Sequence, residues 1–206
     1  ERCLLFAFEE SKDQLCRNAA AWGMDFDRME REGSLRVVTF YPHARSLEEH
    51  LVFTKTQIDE FRPNRVAVDS LTALERVGPT RGFREFIINL TATLKQKEMC
   101  GLFTATTPGL SGGPSVTEAH ISTLTDSILM LRYVETFGVL RRALAILKMR
   151  GSAHERNVRE YSIDGEGLHI HGPFSEVTGI LWGSPAYSDS WWEPKEYHLE
   201  RPQGRD

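Results

Sequence analysis

Acidic side chains directly follow two apolar segments of the sequence. The first segment, Cys3–Phe8, leads into Glu9 and Glu10, and the second, Arg65–Val68, leads into Asp69. Such segments are typical of buried strands, and in open parallel sheets ligands bind at the carboxyl ends of the strands. A carboxylate at that edge can hold Mg²⁺, directly or through water, and another can accept a proton as a general base. The pattern therefore predicts a magnesium–nucleotide site.

Each of these carboxylates also has a simpler explanation. Asp69 could cap a helix or begin a turn, and Glu9 and Glu10 could open a helix, where acidic residues suit the helix dipole. Because adjacent residues of a strand point to opposite faces, only one of the two glutamates would easily face a bound phosphate. The residues alone leave both explanations open.

A strand-like segment near residue 150 carries two basic side chains. Lys148 and Arg150 are two residues apart, so we expect them on one face of the strand, with Arg142 in the same alternation. Aligned cations of this kind suit a polyphosphate. Charged residues also keep an edge strand from pairing with another chain, and the sequence does not separate these two roles.

Hydroxyl side chains cluster at Ser122, Thr123 and Thr125, beside Asp126. As phosphoacceptors, each would gain about two negative charges, which is enough to reorganise a nearby interface. Hydroxyls of this kind also cap helices or bond across strands, so this choice stays open as well.

Strand and helix patterns alternate up to about residue 106. Two helices begin at capping-box spacings, Ser11–Gln14 and Ser46–Glu49, and a third helical pattern runs from about Arg81 to Lys97. Short apolar strands separated by amphipathic helices predict an α/β fold, with a mainly parallel sheet flanked by helices.

The pattern changes after a loop rich in proline and glycine at residues 108–114. Short connections join three strand-like runs, which predict antiparallel strands added to the sheet in the C-terminal half. These runs are Ser127–Val134, Val139–Met149 and Arg159–His171. Residues 173–206 predict an irregular tail because they are rich in turn-forming and aromatic residues. The expected organisation is therefore a core domain over residues 1–172, followed by this tail.

The composition limits the classes of function. With 206 residues, 40% of them hydrophobic and 26% charged, the chain is long enough for one domain with a buried core. Its net charge of −4 argues against nucleic-acid binding, which depends on a basic surface. A membrane span needs about 18 consecutive apolar residues, and the sequence has no apolar run of that length. Cys3 and Cys100 fall in predicted buried strands, and no Cys-x-x-Cys pair occurs. We expect a reducing, cytoplasmic location.

Five segments of the chain, taken in order, resemble the second ATPase domain of the KaiC family of clock proteins, within the RecA-like ATPase superfamily. The segments are FAFEES, RNAAAWGMDF, RVAVDSLTAL, EAHISTLTDS and LKMRGSAH. The resemblance extends from about Glu1 to Ser184. It implies a RecA-like fold and an ATP-dependent Ser/Thr autokinase and ATPase that uses Mg²⁺.

The resemblance also implies a role for each candidate residue near the predicted edge. Glu9 and Glu10 match the catalytic carboxylates that activate the acceptor hydroxyl, and Asp69 matches the Walker B aspartate that serves magnesium. Ser122 and Thr123 match the paired autophosphorylation sites.

Further roles follow from the assembly of the family, whose domains form hexameric rings with ATP between neighbouring subunits. Lys148 and Arg150 match basic residues that reach the γ-phosphate across the subunit interface, and Thr117 matches a threonine that supports the phosphorylated serine. A homo-oligomer is therefore expected, and clock proteins are possible partners.

The phosphate-binding loop of such ATPases is absent from this chain. No Gly-x-x-x-x-Gly-Lys-Ser/Thr occurs in the 206 residues, and the resemblance places that loop just upstream of residue 1. We expect the polypeptide to be part of a longer protein and, by itself, to bind ATP poorly. Two alternatives are a RecA-like DNA-binding motor of the recombinase type and a non-catalytic oligomerisation scaffold.

Overall fold

The computed structural model describes residues 1–106, 123–136 and 138–174, and the backbone of two short strands beyond them. Residues 1–106 alternate strands and helices, as their sequence pattern predicts. The strands are β1 (Cys3–Phe8), β2 (Leu35–Phe40), β3 (Arg65–Asp69) and β4 (Cys100–Phe103). The helices are α1 (Lys12–Ala21), α2 (Phe26–Arg31), α3 (Leu47–Phe61), α4 (Leu71–Glu75) and α5 (Thr80–Gln96), with a 3-10 helix at Pro42–Ala44.

The four strands form one parallel sheet in the order β2-β1-β3-β4. In the central pair, Cys3 lies opposite Arg65 and Ala7 lies opposite Asp69. Because all four strands run in the same direction, their carboxyl ends meet at one edge. The predicted α/β fold with a parallel sheet flanked by helices is confirmed.

Local sequence signals determine where α1 and α3 begin. Ser46 and Glu49 form a reciprocal capping box at the start of α3, each side chain bonding the backbone N–H of the other. The Ser11 hydroxyl accepts a hydrogen bond from the Gln14 N–H at the start of α1. The sequence pattern did not predict α2 or α4, because helices of six and five residues are too short to show a periodic apolar stripe.

The core lies between the sheet and the helices. Its fully buried members come from neighbouring elements: Leu4 and Phe6 from β1, Val66 from β3, Ile58 from α3 and Leu90 from α5. β4 differs, because it is an outer strand of the described sheet and Leu102 keeps 63% of its surface exposed. The expectation that Cys100 is buried was therefore wrong, and this thiol is exposed.

The C-terminal half contains a separate antiparallel sheet. It consists of β5 (Ser127–Thr136), β6 (Val139–Met149), β7 (Arg159–Asp164) and β8 (Gly167–Pro173), paired in that order. Antiparallel strands were expected in this half. Among the described strands, however, they pair with each other and not with the parallel sheet.

A hairpin divides the last strand-like run. The run predicted as a single strand, Arg159–His171, is β7 and β8 with a turn at Gly165 and Glu166 between them, and Gly167 has a φ of +129° that only glycine adopts easily. Beyond β8, Val177–Thr178 pairs with Ala186–Tyr187, and the remainder of the predicted tail lies outside the described residues. No helix in the described part of the chain is long and apolar enough to cross a membrane.

The core assignment can be tested by truncating a buried side chain. Leu90→Ala should lower the free energy of unfolding by about 2–5 kcal/mol, because it leaves a cavity where Leu90 is fully buried. Leu102→Ala, the same change on the exposed outer strand, should alter it by less than about 0.5 kcal/mol. Urea titration followed by circular dichroism measures both. Equal effects of the two changes would contradict the layered core described above.

Candidate functional site

Three acidic residues lie at the carboxyl edge of the parallel sheet. Asp69 is the last residue of β3 and lies opposite Ala7 of β1, while Glu9 and Glu10 follow immediately after β1. The two strands are hydrogen-bonded neighbours, so the three acidic residues lie at the same end of adjacent strands. This placement is the one that ligand sites in open parallel sheets use.

Glu9 has an unusual backbone conformation. Its φ of +72° lies in the left-handed region, which costs a residue with a side chain about 1–2 kcal/mol. β1 therefore ends at Phe8, and strand alternation does not set the directions of the two glutamates. Glu9 is exposed and Glu10 is half-buried, so their environments differ. Strained residues persist where surrounding packing holds them, and they occur often at functional sites.

Asp69 is oriented by a threonine from the neighbouring strand. The Thr104 Oγ1 hydroxyl donates to Asp69 Oδ1 over 2.5 Å, and Thr104 follows directly after β4. Ser70 occupies the N-cap position of α4 without a side-chain capping bond. Helix capping, the simpler explanation for this Asp-Ser pair, therefore does not engage the Asp69 carboxylate, which is exposed at the edge.

The carboxylate edge suits Mg²⁺ bound together with a phosphate ligand. Among the described residues, no group of three or more His, Cys, Asp or Glu side chains is arranged to hold a metal ion alone. Magnesium commonly takes only one or two protein carboxylates and fills its other positions with water and substrate phosphates. Asp69, oriented by Thr104, fits that mode. A triphosphate also needs a cradle of backbone amides, and the sequence has no phosphate-binding loop to supply it.

Lys148 and Arg150 both bind a segment of their own chain. Lys148 Nζ donates to the carbonyl oxygen of Thr125 over 2.8 Å, and Arg150 Nη2 donates to that of Thr123 over 3.0 Å. The Arg150 backbone N–H also bonds the carbonyl oxygen of Asp126. We call residues 123–126 the connector, because they lead into β5.

The expected alignment of Arg142 with Lys148 was wrong. Leu129 pairs with Ile146, whereas Ile128 pairs with Lys148, so a bulge at Leu147 interrupts the alternation of β6. Arg142 therefore lies on the opposite face, where its guanidinium sits 5.8 Å from the ring of Tyr133.

A charged cluster joins the connector to both halves of the molecule. Asp126 Oδ1 lies 3.1 Å from Lys95 Nζ at the end of α5 and 3.5 Å from Arg150 Nη1 after β6. The hydrogen bond from Lys95, with the charges of Lys95 and Arg150, holds the pKa of the Asp126 carboxyl below its ordinary value. Leu124 packs against the core of the parallel sheet. The connector is thus held by the end of α5, by the end of β6 and by the core of the parallel sheet.

Two of the candidate residues cannot be placed. Ser122 and Thr117 lie outside the described residues, and Thr123 is the first residue of the described connector. The roles expected for all three remain predictions. What the structure adds is that the main chain at Thr123 is held by Arg150.

Most of the chain matches a known protein family. The family described as "ATPase: KaiC" matches residues 1–174. The chain belongs to the KaiC family.

Individual KaiC relatives agree with this assignment. The chain is 61% identical over 188 residues to the circadian clock protein KaiC3 of Synechocystis sp., covering 91% of this chain and 37% of that protein. It is 50% identical to the circadian clock oscillator protein KaiC 1 of the same organism and 49% identical to KaiC of Thermostichus vulcanus, each over 185 residues, 90% of this chain and 36% of the relative. The chain therefore spans a little over a third of the length of the KaiC proteins it matches.

Two residues at these sites were missed by reasoning from the sequence. Thr104 had a usable signal, because it is a hydroxyl residue directly after an apolar strand, as Asp69 is a carboxylate after another. Lys95 had none, since it is 31 positions from Asp126 and nothing in the pattern of α5 relates the two. A contact such as the one between Lys95 and Asp126 is revealed only by the tertiary structure.

The charged cluster makes a testable contribution to stability. The carboxyl of Asp126 has a lowered pKa in the folded chain, so its stabilisation is complete above the ordinary value of about 3.9 and is lost as the pH falls through the folded value. Asp126→Asn should lower the free energy of unfolding at pH 7 by at most about 1 kcal/mol, because the ion pairs are exposed.

The same loss should shrink in 1 M NaCl, where the charges are screened, and as the pH falls through the lowered pKa of Asp126, where the carboxylate becomes neutral. Glu135→Gln, which changes an exposed carboxylate at the other end of β5, is the control and should show neither dependence. Urea titrations over pH and salt measure both variants. A loss for Asp126→Asn that does not depend on salt would contradict the ion-pair explanation.

Proposed function

We propose that this chain forms the catalytic-carboxylate and phosphoacceptor portion of an ATP-dependent Ser/Thr autokinase and ATPase of the KaiC type. The observation that carries the proposal is the meeting of Glu9, Glu10 and Asp69 at one edge of the parallel sheet. In a chain of the KaiC family, that arrangement supports phosphoryl transfer better than DNA movement or a purely structural role.

Each residue at the edge has a distinct role in this proposal. One glutamate of the Glu9–Glu10 pair accepts the proton from the hydroxyl of Ser122 or Thr123 as that oxygen becomes the nucleophile. Asp69, oriented by Thr104, holds Mg²⁺. Bound ATP would supply the γ-phosphoryl group and leave as ADP, and the Mg²⁺ ion would neutralise part of the charge during transfer.

The phosphate cradle comes, in this proposal, from a part of the protein outside the 206 residues. Parallel sheets are normally covered on both faces and rarely leave an apolar outer strand exposed. The exposed positions Cys100, Gly101 and Leu102 make the outer edge of β4 suitable for pairing with another strand. This edge supports a site that is completed by further residues of a longer protein.

The protein acts, we propose, in a homo-oligomeric ring with the nucleotide between subunits. Lys148 and Arg150 lie beside the connector, which contains the proposed acceptor Thr123 and follows Ser122 in the sequence. A neighbouring subunit's triphosphate would therefore meet the two cations and the acceptor hydroxyls together. A cation supplied from another subunit can raise the rate of phosphoryl transfer by about 10³–10⁵. Clock proteins are the proposed partners of the assembly.

Substitution of the glutamates tests the general-base role. In the full-length protein, Glu10→Gln should reduce labelling of Ser122 and Thr123 from γ-labelled ATP by about 10²-fold or more, because the amide cannot accept the proton. Glu9→Gln, made separately, shows which of the two carboxylates is the base. ATP binding should stay within about twofold in both variants. Glu32→Gln, an exposed glutamate at the end of α2, is the control. Full labelling in both edge variants would remove the assignment.

Nucleotide affinity tests the proposed origin of the phosphate cradle. The 206-residue chain, checked for folding by circular dichroism, should bind a fluorescent ATP analogue at least about 100-fold more weakly than the full-length protein. Loss of two charge-assisted hydrogen bonds to the phosphates, at about 1.5–3 kcal/mol each, accounts for this factor. Affinities within about fivefold of each other would contradict the proposal that the cradle lies elsewhere.

A further inference from the structure

A buried histidine lies beneath the strand end that carries Glu9 and Glu10. His50 of α3 is fully buried, and its ring stacks on the ring of Phe40 at 4.9 Å with an interplanar angle of 22°. The ring of Phe8 meets His50 edge-on at 6.2 Å and Phe40 at 4.8 Å. Phe8 and Phe40 are paired residues at the ends of β1 and β2, so His50 contacts the last residue of both strands.

The hydrogen bonding of His50 defines its protonation state. Its Nε2 lies 2.7 Å from the carbonyl oxygen of Pro42, and because a carbonyl only accepts, Nε2 must carry the proton. The other ring nitrogen, Nδ1, is buried without a hydrogen-bond partner in the described part of the chain. At neutral pH this environment favours the neutral ring with its proton on Nε2, because the pKa of the ring is lowered.

A second proton on this ring would have no hydrogen-bond acceptor in the described part of the chain. It would go to Nδ1, which is enclosed beside the Phe8 and Phe40 rings, and would create a charge in an apolar environment. Burial lowers the pKa of the His50 ring, and the bond to the Pro42 carbonyl only partly opposes that effect. Two charged side chains also act on it: Arg45, whose guanidinium lies 5.5 Å from the Phe40 ring, lowers the pKa further, and Glu49 raises it.

We infer that His50 is a positioning residue for the Glu9–Glu10 pair: its neutral ring, packed against Phe8 and Phe40, holds the carboxyl end of β1 in the conformation that presents the two glutamates. The inference rests on the proposed function, because it assigns those glutamates a catalytic role. It is supported by the left-handed backbone of Glu9, which directly follows Phe8 and needs firm packing to persist. Protonation of the ring removes that support.

The direction of the pH dependence follows from the lowered pKa of His50. The folded chain binds this proton less readily than the unfolded chain, whose histidines have an ordinary pKa of about 6.5. The packing is therefore complete above about pH 6.5 and weakens as the pH falls through the lower, folded value. Catalysis by the glutamate pair should weaken in the same window, and ATP binding should not.

Autophosphorylation rates of the full-length protein between pH 8 and 4.5 provide the test. His50→Phe keeps an aromatic ring against Phe40 but cannot titrate, and His50→Gln cannot titrate but can still donate to the Pro42 carbonyl. The ratio of the wild-type kcat to that of either variant should be constant above pH 7 and fall by about threefold or more once the pH passes below the lowered pKa of His50, with the KM for ATP unchanged. The titration of ATP and of the other histidines affects wild type and variant equally, so these effects cancel in the ratio.

The control is His43→Phe, which changes an exposed histidine in the adjacent 3-10 helix. Its ratio to wild type should not vary with pH. A ratio for the His50 variants that is equally independent of pH would overturn the inference.

Hydrogen exchange of the wild-type protein gives a second test, which needs no variant and no activity. After correction for intrinsic rates, the amides of Ala7 and Phe8 at the carboxyl end of β1 should lose protection as the pH falls from 7.5 through the lowered pKa of His50, while those of Leu90 and its neighbours in α5 should not. Unchanged protection at Ala7 and Phe8 would overturn the inference. If the full-length protein shows no labelling at any pH, the proposed function fails, and the exchange result still decides whether His50 holds the end of β1.

Discussion

The parallel pairing of β1 with β3 is the interaction on which the candidate site depends. Apolar residues that alternate along both strands are buried, among them Leu4, Phe6 and Val66. A shift of the register by one residue would turn each of these side chains to the other face, so burial strongly specifies the register in which Ala7 faces Asp69. The meeting of the carboxylates at one edge is thus a consequence of core packing beneath them.

The acidic edge and the packed layer below it have different physical character. Glu9 and Asp69 are exposed, and their charges remain hydrated, so they contribute little to folding themselves. Directly beneath, Phe8, Phe40 and His50 form a closely packed aromatic group, and the Nδ1 atom of His50 is buried with no hydrogen-bond partner among the residues that the structure describes. An unbonded buried nitrogen lowers the stability of the fold, and the left-handed backbone conformation of Glu9 lowers it further. Glu9 is itself one of the two candidates for the proposed base, and His50 contacts Phe8, the last residue of the strand that precedes them. This placement is expected where function, and not stability alone, determines the conformation.

The connector links the parallel sheet to the antiparallel sheet. Lys95 comes from a helix of the parallel half and Arg150 from the end of a strand in the antiparallel half, and both approach Asp126. Exposed ion pairs are individually weak, but Leu124 adds apolar burial in the parallel core and the carbonyl of Thr123 adds a hydrogen bond. The cations that the family resemblance assigns to a neighbouring nucleotide are thereby kept beside Thr123, the proposed acceptor that lies within the described residues.

Local chemistry determined much of this structure, and long-range contacts decided the rest. The parallel α/β half, the capping box of Ser46 and the carboxylates after β1 and β3 could all be predicted, because periodicity, caps and strand ends are properties of neighbouring residues. The bulge at Leu147, the separation of the two sheets and the partners of Lys95 and His50 could not. Each depends on which distant segments pack together, and that choice is made by the burial of the whole core, which no short stretch of sequence encodes by itself.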